Sequence, residues 1–376
     1  MSAVIVPYRG SKMASDSRKS RKKRKKRTMR RVIFAFEILI VLFLVIALYV
    51  VYRLDLADTG NKESVVKAKV NEEVQAQIDD VENDDWRMDG YTNIALFGVD
   101  SRDTNLGKGA RTDTIMVASL NNQTGEVKLC SVFRDTYLNI GNDTYNKANS
   151  AYSNGGPEQA IQMLNMNLDM DIDEYVTVGF KALVDTIDDL GGVEVDISEE
   201  EIHFLNDYQI GTAEAIGIKQ SDIVNIDHAG LQTLNGLQAT SYCRIRYTKG
   251  DDFKRAERQR TVLTQVAEKA MASDISTLDD IIDDIFPLCS TSFTKAEMVE
   301  YASRVATYSI GEQSGFPFER VTGNMGKAGS SVVADDFEKN VVEFHEFLFG
   351  DSEYTPSSTV KDISAKIAAD RQKNGL

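Results

Sequence analysis

The first patterned stretch along the chain is apolar throughout. Residues 32–52, VIFAFEILIVLFLVIALYVVY, carry a single charge, Glu37. A run of roughly 20 apolar residues is what a helix needs to cross a bilayer core. A cleaved signal has a shorter apolar region and ends at small residues. Here the exit is Arg53-Leu54-Asp55, so the pattern predicts an uncleaved transmembrane helix. The basic run 18-RKSRKKRKKRTMRR-31 stands directly before it. Lys and Arg gather at the cytoplasmic end of a span. The expected topology is therefore a basic cytoplasmic tail over 1–31, a single pass over 32–52, and everything later outside the cell membrane. Such a tail also suits an anionic lipid surface.

Residues 53–89 are polar with weak helical periodicity, and read as an extracellular linker or stalk with some helix. Regular alternation begins at 91-YTNIALFGVD-100, a buried strand by its short apolar run. Two further runs, 114-TIMVASL-120 and 126-EVKLCSVF-133, flank a Gly-containing turn and predict a hairpin. A helix follows over 157–168, then a strand at 174-EYVTVGF-180, a helix at 181–192 stopped by glycines, and a strand at 193-VEVDI-197. Residues 198–226 read as an irregular, flap-like stretch. A short helix is expected over 227–236, a strand at 240-TSYCRIRYT-248, a helix over 252–271 and a strand near 329–334. Strands alternating with helices predict an α/β layered domain over 90–350, its sheet mixed because it contains a hairpin. The polar segment 351–376 is expected to be a loosely attached tail.

Charge sharpens this picture. The net charge is −15, yet residues 1–31 hold thirteen of the 43 Lys and Arg and one of the 58 acids. The acidic remainder argues against nucleic acid as a partner, because phosphates would be repelled. Against that background 243-CRIRYTKGDDFKRAERQR-260 packs seven Lys or Arg beside three acids. Arg244 and Arg246 are two apart on an expected strand, and Arg255, Arg258 and Gln259 share one face of an expected helix that starts near Asp252. Like charges repel, so converging arginines suggest a multiply charged anion, and guanidinium forks match phosphate oxygens. A solvated basic helix face is the competing interpretation. Further Arg-Asp pairs close other strands: 98-GVDSRDT-104, 110-ARTDT-114 and 131-SVFRDTY-137. Carboxylates beside arginines suit a magnesium ion that bridges phosphate oxygens.

Other chemistries lack their residues. The three cysteines, Cys130, Cys243 and Cys289, form no framework, and the pairing of Cys130 with Cys289 stays open. The three histidines are scattered. There is no P-loop, no HExxH zinc pair and no GxSxG elbow. Neighbouring arginines would favour a Cys243 thiolate, but no histidine lies nearby in sequence, so Cys243 reads as a buried spectator.

Taken in order, NIALFGVDSRD, ARTDTIMVASLN, SVFRDTYLNI, YNKANSAYSNGG, EYVTVGFKALVDTIDDLGGVEV, HAGLQTLNGLQATSYCRIRYT and DDFKRAERQR resemble the LytR-CpsA-Psr family of the Gram-positive cell envelope. The resemblance is strongest over roughly residues 90–272 and runs on to about 350. It implies a three-layer α/β/α sandwich with a groove for a lipid. It also implies a phosphotransferase that moves a glycopolymer (teichoic acid, capsule or a related polysaccharide) from a polyprenyl-pyrophosphate carrier to a peptidoglycan sugar hydroxyl. By the same resemblance Asp100 and Asp113 match metal-associated carboxylates, for magnesium (or manganese). Arg134, Arg244 and Arg246 match pyrophosphate-binding arginines, and Asp252, Arg255 and Gln259 the later motif. Arg102 and Arg111 match further arginines near the phosphates, Arg258 belongs to the helix motif, and Lys147 matches a basic residue of the substrate mouth. Two departures stand out: Phe133, where the family commonly has proline, and Lys254, where it often has glycine. Asp113 or Asp252 is the expected proton acceptor. Two rival functions fit parts of the pattern: a polyprenyl-pyrophosphate pyrophosphatase, and a non-enzymatic membrane-anchored regulator.

Overall fold

The computed structural model describes residues 58–59, 69–79, 88, 90–100, 106–246, 248, 250–273, 281, 288–293, 301 and 304–376. The expected cytoplasmic tail, the membrane span and most of the linker lie outside the described residues. In chain order the first elements are β1 (Asp58–Thr59), α1 (Glu72–Asp79), β2 (Tyr91–Asp100), β3 (Arg111–Asn121), β4 (Glu126–Val132), β5 (Tyr137–Asn139) and β6 (Tyr145–Lys147). Next come α2 (Asn149–Leu168), β7 (Glu174–Val178), α3 (Phe180–Asp189), β8 (Val193–Ile197), α4 (Glu199–Ile216), β9 (Gly230–Leu234), α5 (Gly236–Tyr242) and α6 (Asp251–Ala272). The last are β10 (Cys289–Thr291), β11 (Ser309–Phe316), β12 (Arg320–Asn324), β13 (Ser330–Ala334), α7 (Phe337–Phe349) and α8 (Ser358–Asn374).

The fold is mixed α/β. Seven strands form one sheet in the order β1-β10-β7-β2-β3-β4-β11. Its centre is the expected hairpin: β3 runs antiparallel to both β2 and β4. Parallel partners then join on either side, β7 beside β2 and β11 beside β4. Alternation along β2 explains the two faces. Ala95, Phe97 and Val99 are buried in a core shared with α2, α7 and α8. Leu96 faces the other way, toward α3, α5 and α6.

Four expectations are corrected. Residues 198–226 are largely helical: Ser198 and Glu201 form a capping box that starts α4. The segment 230-GLQTL-234 is a strand paired with β8, not a helix. The described residues of the expected strand over 240–248 instead form the end of α5 and a turn, because Asn235 and Gln238 cap a helix there. Beyond Tyr354 the chain forms α8, whose Val360, Ile363 and Ile367 are buried in the main core. Part of the linker is docked as well. Val74 of α1 enters that core, and Glu73 accepts a hydrogen bond from the Ser358 backbone at 2.8 Å.

Candidate functional site

The site starts at an irregularity in the β2–β3 pair. Gly98 pairs with Thr114 and Val99 with Thr112, so Asp113 is an extra residue on β3. A bulge of this kind re-aims a side chain. Asp113 and Thr114 consequently both border one cavity. Gly98 is required opposite: a Cβ there would lie 2.9 Å from the Thr114 Cβ and Oγ1. Asp100 closes β2, paired in register with Arg111, and both are exposed. Arg102 lies outside the described residues.

Arg134 follows β4 and reaches Asp113. Its Nη1 donates to Asp113 Oδ1 at 2.5 Å and its Nε to Asp252 Oδ2 at 3.3 Å. Asp252, at the start of α6, also meets Arg246 Nε at 3.1 Å and Arg255 Nη2 at 3.3 Å. Three guanidinium groups thus share one carboxylate. Burial alone would raise the Asp252 pKa, but Arg255, Arg134 and Arg246 together hold it below the usual carboxylate value. Arg255 is pulled the other way, first by burial and then by the charge of Arg134. Its Nε is buried without a hydrogen-bond partner among the described residues. Crowded cations with an orphaned donor form an arrangement that an added anion would relieve.

Arg244 stands at the other end of the site. Its guanidinium lies over the rings of Phe180, 4.4 Å to the centroid, and Tyr208, 5.5 Å, and donates to Thr212 Oγ1 at 2.8 Å. With Asp113 and Gln259 it forms the polar rim of a cavity of about 190 Å³. The rest of the lining is mostly apolar, including Leu96, Met116, Val178, Leu183, Val262 and Leu263. The sheet forms its floor and α3, α5 and α6 its walls. An apolar sleeve therefore opens at Asp113, which connects through Arg134 to the arginine cluster. Sequence patterning missed Thr212, Phe180 and Tyr208. Thr212 and Tyr208 lie in a segment that reads as irregular, and nothing local ties them to Arg244. The α4 capping box is the signal that would have placed them on a helix.

Other expected residues have different surroundings. Arg258 is buried away from the cluster: it donates to Glu201 at 2.8 Å, to Thr248 Oγ1 at 2.8 Å and to the Ile245 carbonyl at 3.2 Å. It shares a helix with Arg255 but binds the α4 terminus, because a buried Glu201 needs a counter-charge. Lys147 pairs with Asp135 at 3.2 Å, the neighbour of Arg134. Cys243 is no thiolate: burial pushes its thiol up to about 12 despite the charge of Arg258. All three cysteines are free and buried. Phe133 packs edge to face on Phe253, ring centroids 4.7 Å apart. Lys254 is exposed and pairs with Glu257 at 2.8 Å, so its replacement of a glycine leaves the start of α6 intact.

The donor set suits a hard divalent ion. Asp100 and Asp113 supply carboxylate oxygens at the same end of β2 and β3. Asp113 Oδ2 lies outside the Arg134 pair. No cluster of three acidic, histidine or cysteine ligands occurs among the described residues. An ion here would complete its shell from phosphate oxygens and water, as magnesium does.

Comparison with known proteins relates the chain to a family and to solved folds. The model of the LytR_cpsA_psr family matches residues 49–336. The polyisoprenyl-teichoic acid–peptidoglycan teichoic acid transferase TagV of Bacillus subtilis is 30% identical over 196 residues, 51% of this chain and 47% of that protein. The chain thus spans about half the length of this curated relative. The crystal structure of B. subtilis TagV aligns at a TM-score of 0.55 and 25% identity, covering 71% of this chain and 98% of that one. YwtF (TagT) with bound octaprenyl pyrophosphate lipid aligns at 0.52 and 19% identity over 71% and 92%, a likeness of fold.

Proposed function

The chain belongs to the LytR_cpsA_psr family, and we propose that it is a phosphotransferase that moves a glycopolymer from a polyprenyl-pyrophosphate carrier to a peptidoglycan hydroxyl. The observation that carries this is the junction of an apolar sleeve with a cluster of guanidinium groups through Asp113 and Arg134. Such a junction fits a ligand with an apolar chain and a multiply charged head. The relatives' names supply the chemistry of the polymer and its acceptor.

In this reading the prenyl chain lies in the sleeve, and Arg134, Arg244 and Arg246 bind the pyrophosphate. The acceptor oxygen bonds to the sugar-linked phosphorus as the bond from that phosphorus to the lipid phosphate breaks. The lipid phosphate leaves, and the hydroxyl proton passes to a carboxylate. Charge grows on the phosphate oxygens, where fixed guanidinium groups stabilise it. Asp252, engaged by three arginines, is a weak proton acceptor. Asp113 has one carboxylate oxygen outside its ion pair, so it accepts the proton when that oxygen holds no metal ion. Arg255 acts through Asp252, holding it in place. When bound, magnesium (or manganese), held by Asp100 and Asp113, supplies further positive charge at the phosphates. Helices on both sheet faces support the full α/β/α sandwich, set outside the cell membrane behind the 32–52 anchor.

The full-length protein in detergent, given a polyprenyl-pyrophosphate-linked oligosaccharide, magnesium and peptidoglycan oligomers, is expected to form a joined product detectable by mass. Asp113→Ala and Arg244→Ala should abolish it. Release of lipid phosphate without joining would replace this reading with a pyrophosphatase, in which water takes the hydroxyl's place.

A further inference from the structure

A second recess lies across α6 from the apolar sleeve. Gln259, Val262 and Leu263 line the sleeve. Phe253, Lys254, Glu257 and Arg260 line the recess, a groove of about 640 Å³ completed by Phe133 and by Gly315, Phe318 and Arg320. At 3.6 residues per turn these two sets fall on roughly opposite sides of the helix. The groove is continuous with the cluster in sequence twice over: Phe133 precedes Arg134, and Phe253 follows Asp252.

Its charges are unbalanced. Lys254 is paired with Glu257. Arg260 and Arg320 have no carboxylate within ion-pair distance among the described residues. Arg260 donates to Ser131 Oγ at 2.9 Å. Arg320 donates to the carbonyls of Pro317 and Phe318 at 2.8 Å, and its guanidinium rests on the rings of Phe253, 4.2 Å, and Phe133, 4.9 Å. The position is fixed by close packing beneath: a Cβ on Gly315 would meet the Phe133 ring at 2.6 Å. Both arginines are held half-buried, with desolvation lowering each pKa. Cations in that condition gain from an anion that brings its own charge into the groove.

We propose that this groove is the acceptor subsite, and that Arg260 and Arg320 bind carboxylates of the peptide carried by the peptidoglycan strand. The inference rests on the transferase reading. It adds a place and a recognition chemistry for the acceptor. In an in-line displacement the nucleophile enters opposite the leaving group. The sleeve assigns the lipid phosphate to one side of the arginine cluster; the groove, whose Phe133 and Phe253 adjoin Arg134 and Asp252 in sequence, lies across α6 from that sleeve and is the recess from which the hydroxyl would enter. The groove's net positive charge then selects acceptor strands that retain their peptide carboxylates.

The test uses the full-length protein in detergent and two readouts: steady-state kinetics, and direct binding of muropeptide fragments without donor. Arg260→Gln and Arg320→Gln are each expected to raise the acceptor KM about tenfold, the loss of one charge-assisted contact, with the donor KM unchanged. Fragment binding should weaken equally. A fragment with amidated carboxylates should bind wild-type protein at least about tenfold more weakly than the native fragment does, a comparison that needs no mutation and no refolding. Unchanged acceptor KM and fragment affinity in an active protein would overturn the proposal. A raised donor KM instead would overturn it in favour of a subsite for the polymer's own phosphates. Carboxylate-dependent binding without joining would support the groove and count against the transferase reading alone.

Discussion

Three guanidinium groups share the Asp252 carboxylate, so neutralising it removes the one carboxylate common to all three. Its pKa in the fold lies below the ordinary value of 3.8. The stabilisation is therefore fully present above that ordinary value and is lost as pH falls through the lower folded value. Asp252→Asn should be less stable than the parent at neutral pH, and the gap should close on acidification. Urea midpoints for both proteins between about pH 1.5 and 6 check this; a gap that stays constant down to the acid end would refute the charge account. Arg258 makes the contrasting case. Arg258→Met leaves Glu201 buried without its partner, which costs about 3–5 kcal/mol, and denaturant unfolding should show that loss while the donor KM stays put. Cys243 should resist alkylation in the native protein near pH 8 and react only on unfolding, since burial holds its thiol near 12.

At the scale of elements, the β2–β3 bulge and α8 carry the most weight. Gly98→Ala should crowd Thr114 and turn Asp113 aside, lowering transfer far more than it lowers the unfolding midpoint. Ile363→Ala, in the segment expected to hang free, should cost about 2–5 kcal/mol, the usual loss for a buried Ile. The central hairpin was legible because β3 and β4 carry long apolar runs around a turn. The segment 240-TSYCRIRYT-248 misled because its β-branched and aromatic residues imitate a strand, while the Asn235–Gln238 capping box that makes α5 a helix is a short local signal. Arg134, Asp113 and Asp252 were identifiable as Arg-Asp motifs at strand and helix ends. Their mutual contacts were not, because the Asp113 aim depends on a bulge and Arg134 meets Asp252 across 118 positions of chain. The amphipathic spacing of α6 grouped Arg255 with Arg258, but Arg255 pairs within the helix with Asp252 while Arg258 reaches across to Glu201 of α4.

The molecule as a whole is acidic, with a net charge of −15, and an anionic ligand approaches against that field. Local cations must supply the attraction, so binding should weaken as salt screens the exposed part of the cluster. In the proposed function the arginines beside the apolar sleeve hold a pyrophosphate. The most direct test of this is the affinity of the full-length protein for a prenyl pyrophosphate, compared with the matching prenyl alcohol, in the parent and in Arg134→Gln and Arg246→Gln. The parent is expected to prefer the pyrophosphate strongly and each variant to lose about tenfold or more of that preference, with alcohol binding unchanged. Equal affinity for both ligands in the parent, or a preference untouched in the variants, would contradict it.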